Sequence, residues 1–430
     1  MSKPTMHRVV SRWPIVAVSL NDVIGSGVYL LPAAATAILG PSSVWAVALA
    51  GLAVLLVVLC FAEAATHFDE PGSAYLYAKT AFGDMVGFQV GWMAWITRVA
   101  AEASLAAGFA QALAYLWPGA DEGSGRILVV GGVIVGLFAV NLIGVQVGTG
   151  ASVVLTIAKL IPLTVFVLAG ATAFSWSRLA GQEAIDGGSM GAAALLLLYA
   201  YAGFENTAAA AGEFKNPKRD VPFALLTQIA LVTTIYVLVQ GVALGTVDEL
   251  GASQSPLAQG TEMILGPWGA WLLTVGAAIS ILGTTANSVF AGPRYLFALA
   301  QDGYFPSILG QVHARFRTPA AALALQTLLA LPLALTGSFV HLATLSVVAR
   351  LATYLSTAAA VPVLRRKLPA TEGTFRLPGG PTIPVAACLL AVAFASSATK
   401  QNLISAALAM LGGFLIYLPT HLRRRKAQAT

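Results

Sequence analysis

The chain has 430 residues, of which 57% are hydrophobic and only 10% charged, with 24 Lys and Arg against 18 Asp and Glu. Mean hydropathy is +0.80, whereas a soluble domain carries roughly 25% charged residues. The composition excludes a soluble enzyme, a disordered chain and a disulfide-rich secreted domain, and lipid is the expected solvent.

A helix needs about 20 apolar residues to cross the hydrocarbon core. That length predicts an all-α membrane protein with twelve transmembrane helices, at 14–39, 43–66, 86–117, 127–146, 150–174, 188–211, 221–246, 267–300, 319–337, 341–364, 383–399 and 402–421. No segment alternates with period two, which argues against a transmembrane barrel. The first span lacks a small-residue cleavage site and runs straight into the second, so it reads as a retained helix and not a signal peptide. Twelve spans place both termini on one side. Eighteen of the 24 Lys and Arg fall in loops and tails on that side. Arg126, Arg178 and Lys400 fall on the other, and Arg98, Lys159 and Arg350 lie within spans. Both termini are therefore expected in the cytoplasm. The basic surplus reads as a topology signal and a contact with lipid headgroups, not a nucleic-acid footprint. Cys60 and Cys388 lie in apolar runs and the five histidines are scattered, so neither a disulfide nor a metal is expected.

Two spans carry an interruption. The first reads Asn21-Asp22-Val23-Ile24-Gly25-Ser26-Gly27-Val28-Tyr29, with Pro32 following, and the sixth reads Tyr199-Ala200-Tyr201-Ala202-Gly203-Phe204-Glu205-Asn206. Glycine weakens a helix by about 1 kcal/mol, and unwinding at membrane depth frees backbone groups that must be satisfied inside the protein. The two spans are five apart, the pattern of two inverted five-helix repeats that each open with a broken helix. Alternatively the glycines serve close helix packing.

Four pieces of the chain resemble one family. Ile24-Gly25-Ser26-Gly27-Val28-Tyr29 with Pro32 resembles the first-helix signature of the amino acid–polyamine–organocation permeases. Pro71-Gly72-Ser73-Ala74-Tyr75 with Gly83 is similar to that family's first cytoplasmic loop. Gly203-Phe204-Glu205, with Glu213-Phe214-Lys215-Asn216-Pro217-Lys218-Arg219-Asp220-Val221-Pro222, resembles its sixth helix and following loop. Pro293-Arg294-Tyr295 and Asp302-Gly303-Tyr304-Phe305-Pro306 resemble the end of its eighth helix. The resemblance runs from about residue 14 to 367 and includes the basic amino acid/polyamine antiporter-like transporters. It implies the leucine-transporter-like 5+5 inverted-repeat fold and substrates that are amino acids or related amines.

Charged groups at membrane depth are functional candidates. Lys159 lies about ten residues into the fifth span with no acid within four residues. It either titrates during transport or snorkels from a helix end. The resemblance implies a proton-coupling role, since proton-coupled members carry a lysine where sodium-driven relatives hold an ion. Glu205 follows the second break and either exchanges a proton, the role the resemblance implies, or caps freed N–H groups. Asp22 departs from the uncharged residue of many members; it holds the substrate amine or bonds local backbone. Arg98 and Glu102 are four apart and read as an intrahelical ion pair or a gate. Arg350 can pair with Glu102, Glu205 or Asp22.

The pocket is expected to be built mainly from backbone. The N–H groups of Ser26 and Gly27, at the positive end of the second half-helix, suit a carboxylate. Carbonyls near Val23, Tyr201 and Ala202 suit an ammonium, with Ile24, Gly25 and Gly203 forming the breaks. Tyr199 and Phe204 would line the wall, facing Asn287 and Ser288, although aromatics at helical spacing also serve packing.

The chain thus reads as one transporter domain over 1–430, with repeats at 14–174 and 188–364 and two further helices at 383–421. Its expected function is proton-coupled amino acid transport by alternating access. An amino acid/amine (polyamine) antiporter or an amino acid exporter is the alternative. No nucleotide-binding loop, paired acids or His cluster suggests an enzyme, and no cofactor is expected. The expected partners are a small-molecule amino acid or amine, protons and membrane lipid, with the chain a monomer or homodimer.

Overall fold

In the computed structural model, the first predicted span divides into α1 (Arg12–Val23) and α2 (Ser26–Leu39). They part at Ile24 and Gly25, whose ψ angles of 99° and −142° leave the helical region. The structure describes residues 11–68, 73–144, 149–179, 187–209, 214–369 and 373–429. Pro71, Gly72, Glu213 and the N-terminal Lys3 and Arg8 lie outside them. Among the described residues every extended regular element is a helix.

The helix α3 (Ser43–Thr66) is followed by a short α4 (Ala74–Phe82), then α5 (Asp84–Leu113), α6 (Gly123–Leu142) and α7 (Thr149–Thr172). The sixth predicted span also divides, into α8 (Gly187–Leu197) and α9 (Glu205–Ala209), with residues 198–204 outside helix. Then come α10 (Pro217–Thr246), α11 (Pro256–Leu265) and α12 (Pro267–Gln301). The chain continues through α13 (Ala320–Thr336), α14 (Phe339–Lys367), α15 (Thr382–Ser396) and α16 (Lys400–Ala429). The short helices α4 and α11, of 9 and 10 residues, fall below a ruler set by bilayer thickness.

Among the described residues, seven helical stretches are long and apolar enough to cross a membrane: 26–66, 123–142, 152–172, 217–246, 267–301, 339–367 and 400–420. Their outer faces carry large apolar side chains in the open. Leu128 and Val154 are exposed by 67% and 65%, and on the shorter apolar helices α13 and α15 Leu328 and Leu389 are exposed by 70% and 66%. Such a surface is unfavourable in water by about 25 cal/mol per Å² and is neutral in lipid. Exposed Trp268 and Trp271 stack with centroids 5.2 Å apart, as aromatics do at a bilayer interface.

Polar clasps tie the helices where apolar packing alone would not set register. Glu63 of α3 is fully buried and takes a two-pronged contact from Arg365 of α14, at 2.6 and 2.7 Å. The same carboxylate accepts the Leu377 N–H at 2.8 Å, and Thr66 Oγ1 accepts the Phe375 N–H at 3.1 Å. The segment after α14 is thereby pinned to the end of α3. At the end of α12, Asp302 accepts from Lys79 at 2.7 Å and from the Tyr75 hydroxyl, both on α4. Two of the sequence motifs, one before α5 and one after α12, meet there.

Candidate functional site

The two breaks touch each other. Gly203 has φ +124°, and a Cβ there would stand 2.6 Å from Asp22 O. A Cβ on Gly27 would stand 2.6 Å from Ala200 Cα. Both glycines therefore serve a close approach, Gly203 in unwound backbone and Gly27 in the first turn of α2, so the packing alternative holds for them. Gly25 faces α12, its missing Cβ 3.1 Å from Thr284 Oγ1.

Unwinding leaves carbonyls to satisfy, and α7 and α12 supply the donors. Lys159 is fully buried, and its ammonium donates to Asn21 O at 2.7 Å, Ile24 O at 2.8 Å and Thr284 Oγ1 at 3.2 Å. All three ammonium hydrogens find acceptors, and the snorkelling alternative does not describe this side chain. Ser280 Oγ adds a second bond to Ile24 O at 2.9 Å. The Tyr236 hydroxyl lies 2.9 Å from Ala200 O and 3.4 Å from Val23 O, between the two breaks.

A second charged cluster closes the other side. Arg350 and Arg98 both donate to Oε1 of Glu205, the latter at 3.3 Å, and Arg98 also donates to Asn206 Oδ1 at 2.6 Å. Oε2 of Glu205 accepts the Gly203 N–H at 3.1 Å, so the acid also caps the break. Among its three candidate partners, Arg350 takes Glu205. The intrahelical Arg98–Glu102 pair does not form. Glu102 is fully buried and accepts from Gln326 Nε2 of α13 at 2.8 Å. Four-residue spacing permits a pair, but Glu205 and Asn206 give Arg98 two better-placed acceptors.

Between the clusters lies a cavity of about 30 Å³, room for a water or two and not for an amino acid. The first break contributes Asp22, Val23, Gly25, Ser26 and Gly27; the second contributes Tyr199, Ala202 and Gly203. Asn287 and Ser288 face them from α12, and Arg98 and Arg350 complete the wall. Asp22 accepts from Asn287 Nδ2, a side chain on another helix and not local backbone. The Tyr199 hydroxyl stands 3.3 Å from Ser26 Oγ, joining the breaks across the cavity.

Three predicted residues stand outside the wall. Ile24 is buried and offers its carbonyl to Lys159. Tyr201 turns away to donate to Val47 O at 3.0 Å. Phe204 packs on Phe61 and Tyr354, with centroids 5.3 and 5.4 Å apart, as a core residue. Conversely, Asn206, Thr284, Ala101 and Leu105 line the cavity without having been singled out. Asn206 adjoins Glu205 and Thr284 lies about one turn before Asn287, so helical spacing carried a signal for both. A larger cavity, about 250 Å³, opens between α6, α12 and the segment before α13, away from both breaks.

The family model described as amino acid permease matches residues 10–420. The serine/threonine exchanger SteT of Bacillus subtilis (strain 168) is 30% identical over 428 residues, covering 96% of this chain and 95% of the relative. From the same organism, the methylthioribose transporter is 26% identical, covering 96% and 93%. The branched-chain amino acid permease BcaP, also from that strain, is 24% identical with the same coverage. The chain is an integral membrane protein and belongs to the amino acid permease family, a family of transporters and not of enzymes.

Proposed function

We propose that this chain is a secondary active transporter that moves amino acids across the cytoplasmic membrane by alternating access, coupled to protons. The observation that carries the reading is the meeting of two helix breaks around one polar cavity, with a buried ammonium bonded to the carbonyls that the first break frees. Half-helix ends at such a site suit both charges of an amino acid. Its carboxylate goes to the N–H groups of Ser26 and Gly27, and its ammonium to Asp22 and the carbonyls near Val23 and Ala202. The cavity is too small for that ligand as it stands, so loading requires the breaks to move apart. Two inverted repeats, at 14–174 and 188–364, would supply that motion within a fold of twelve crossings with cytoplasmic termini, and 383–421 would add two flanking helices.

Proton coupling rests on Lys159, whose neutral form would give up its charge-assisted bonds to Asn21 O and Ile24 O and loosen the first break. Glu205 would couple by the converse route, because protonating it releases two guanidiniums. The test is uptake of a labelled amino acid panel into liposomes holding the purified chain, with and without a pH gradient. The expected result is accumulation that follows the pH gradient and is unchanged when sodium is replaced by potassium or choline. Uptake that rises with external sodium at fixed pH overturns the coupling. Exchange is a second reading, favoured by the name of the 30%-identical relative, an exchanger. It predicts uptake only into liposomes preloaded with amino acid.

A further inference from the structure

The charges lining the cavity or bonded to its wall do not balance. Lys159, Arg98 and Arg350 stand against Asp22 and Glu205, and with the buried Glu102 carboxyl protonated against Gln326 one positive charge is in excess. Its location follows from the bonds. Lys159 is saturated by two carbonyls and a hydroxyl, all neutral and all directed at the first break. Asp22 is engaged by the neutral Asn287 amide. The remaining carboxylate, Glu205, serves both guanidiniums through a single oxygen. Arg350 is 3% exposed, lines the cavity, and its Nε has no hydrogen-bond partner. A buried guanidinium with an unmade donor is costly unless an acceptor completes it. The surplus cation and the open donor thus coincide on one wall.

We propose that this wall is the side-chain subsite, and that it takes a short carboxylate: the preferred substrate is an acidic amino acid of the aspartate type. The proposal rests on the amino acid transport reading and names the substrate class of the same site. With the substrate's own carboxylate on the first-break N–H groups and its ammonium on Asp22, the side chain extends toward Arg98 and Arg350. A planar guanidinium pairs with a carboxylate through two parallel bonds, which gives both charge and geometric selectivity. Ala101 and Leu105 line the same cavity, and glutamate beside aspartate tests the length that the site takes. A lysine side chain or a polyamine would bring a further positive charge to a wall already in surplus, and is excluded. The amine-antiporter alternative loses its ligand on the same ground.

The experiment is ligand binding to the purified full chain in nanodiscs, by calorimetry and thermal shift. The panel is L-aspartate, L-glutamate, L-asparagine, L-serine, L-leucine, L-lysine and putrescine. Aspartate and asparagine are nearly the same shape and differ in charge, so their affinity ratio reads the subsite directly. Aspartate is expected to bind at least about tenfold more tightly than asparagine, in keeping with a charged over a neutral hydrogen-bonded contact. Glutamate follows, and lysine and putrescine give no shift. In Arg350→Gln the aspartate-to-asparagine ratio should fall toward one while asparagine still binds, which shows that the variant is folded. The ratio in the unaltered protein tests the proposal even if that variant does not fold. Asparagine, serine or leucine binding as tightly as aspartate, or any binding of lysine or putrescine, overturns the acidic subsite and leaves amino acid transport standing. No binding by any amino acid overturns both.

Discussion

Lys159 holds the first break by charge-assisted bonds to two carbonyls and a bond to the Thr284 hydroxyl. Lys159→Ala removes these donors; Ile24 O keeps the Ser280 hydroxyl, but Asn21 O loses its ammonium, at about 1–3 kcal/mol for a buried group left unsatisfied. Its expected phenotype is loss of gradient-driven accumulation together with a lower unfolding temperature, read by liposome uptake and a thermal melt on the same preparation. Glu102 presents the opposite case, a buried acid with no ion-pair partner among the described residues. Its Oε1 and Oε1 of Gln326 are both without partners, while its Oε2 takes the Gln326 amide. A proton on the carboxyl supplies the one missing donor, closing an acid–amide pair. Glu102→Gln should therefore melt within about 1 kcal/mol of the parent, since an amide donates and accepts at the same places. Glu102→Ala, which opens a cavity and strands Gln326, should lose about 2–4 kcal/mol. Equal losses in the two variants would mean that the acid is ionised.

At the scale of elements, the breaks are where backbone contact is tightest. Gly27→Ala drives a Cβ into Ala200, and Gly203→Ala adds a left-handed strain to a clash with Asp22 O. Each should cost about 1–3 kcal/mol through overpacking. Gly136 of α6 has open space around it, so Gly136→Ala should be neutral or stabilising by up to about 1 kcal/mol. Denaturant or thermal unfolding of the three variants separates contact glycines from incidental ones. The position of both breaks was legible in Gly25-Ser26-Gly27 and Gly203, because local backbone chemistry determines where a helix in lipid can open. The choice among Arg350's partners was not, since Glu205 lies 145 residues away in the chain and only packing brings them together. Spacing of four residues misled at Arg98 and Glu102 for the same reason: it states what can meet on one helix, not what neighbouring helices offer. Phe204 was misplaced because an aromatic beside a break looks alike whether it faces ligand or core.

For the whole molecule, the proposed twelve crossings would put 18 basic residues on one side against three on the other, which would oppose translocation of the terminal face. A reporter fused after Thr430 should be active in the cytoplasm only, and activity solely outside would change the number of crossings by an odd count. In that arrangement the same face would carry the segment after α14, and the Glu63–Arg365 clasp has a consequence there for proteolysis. Arg376 would be a tryptic site in a loose loop, but cleavage requires an extended, detachable stretch of backbone. The amides on either side, at Phe375 and Leu377, are held by Thr66 and Glu63. Trypsin applied to inside-out vesicles should spare the Arg376–Leu377 bond in the parent. It should cut there in Arg365→Ala, where the carboxylate loses its guanidinium, and fragment masses from the two digests would register the clasp as a protease lock.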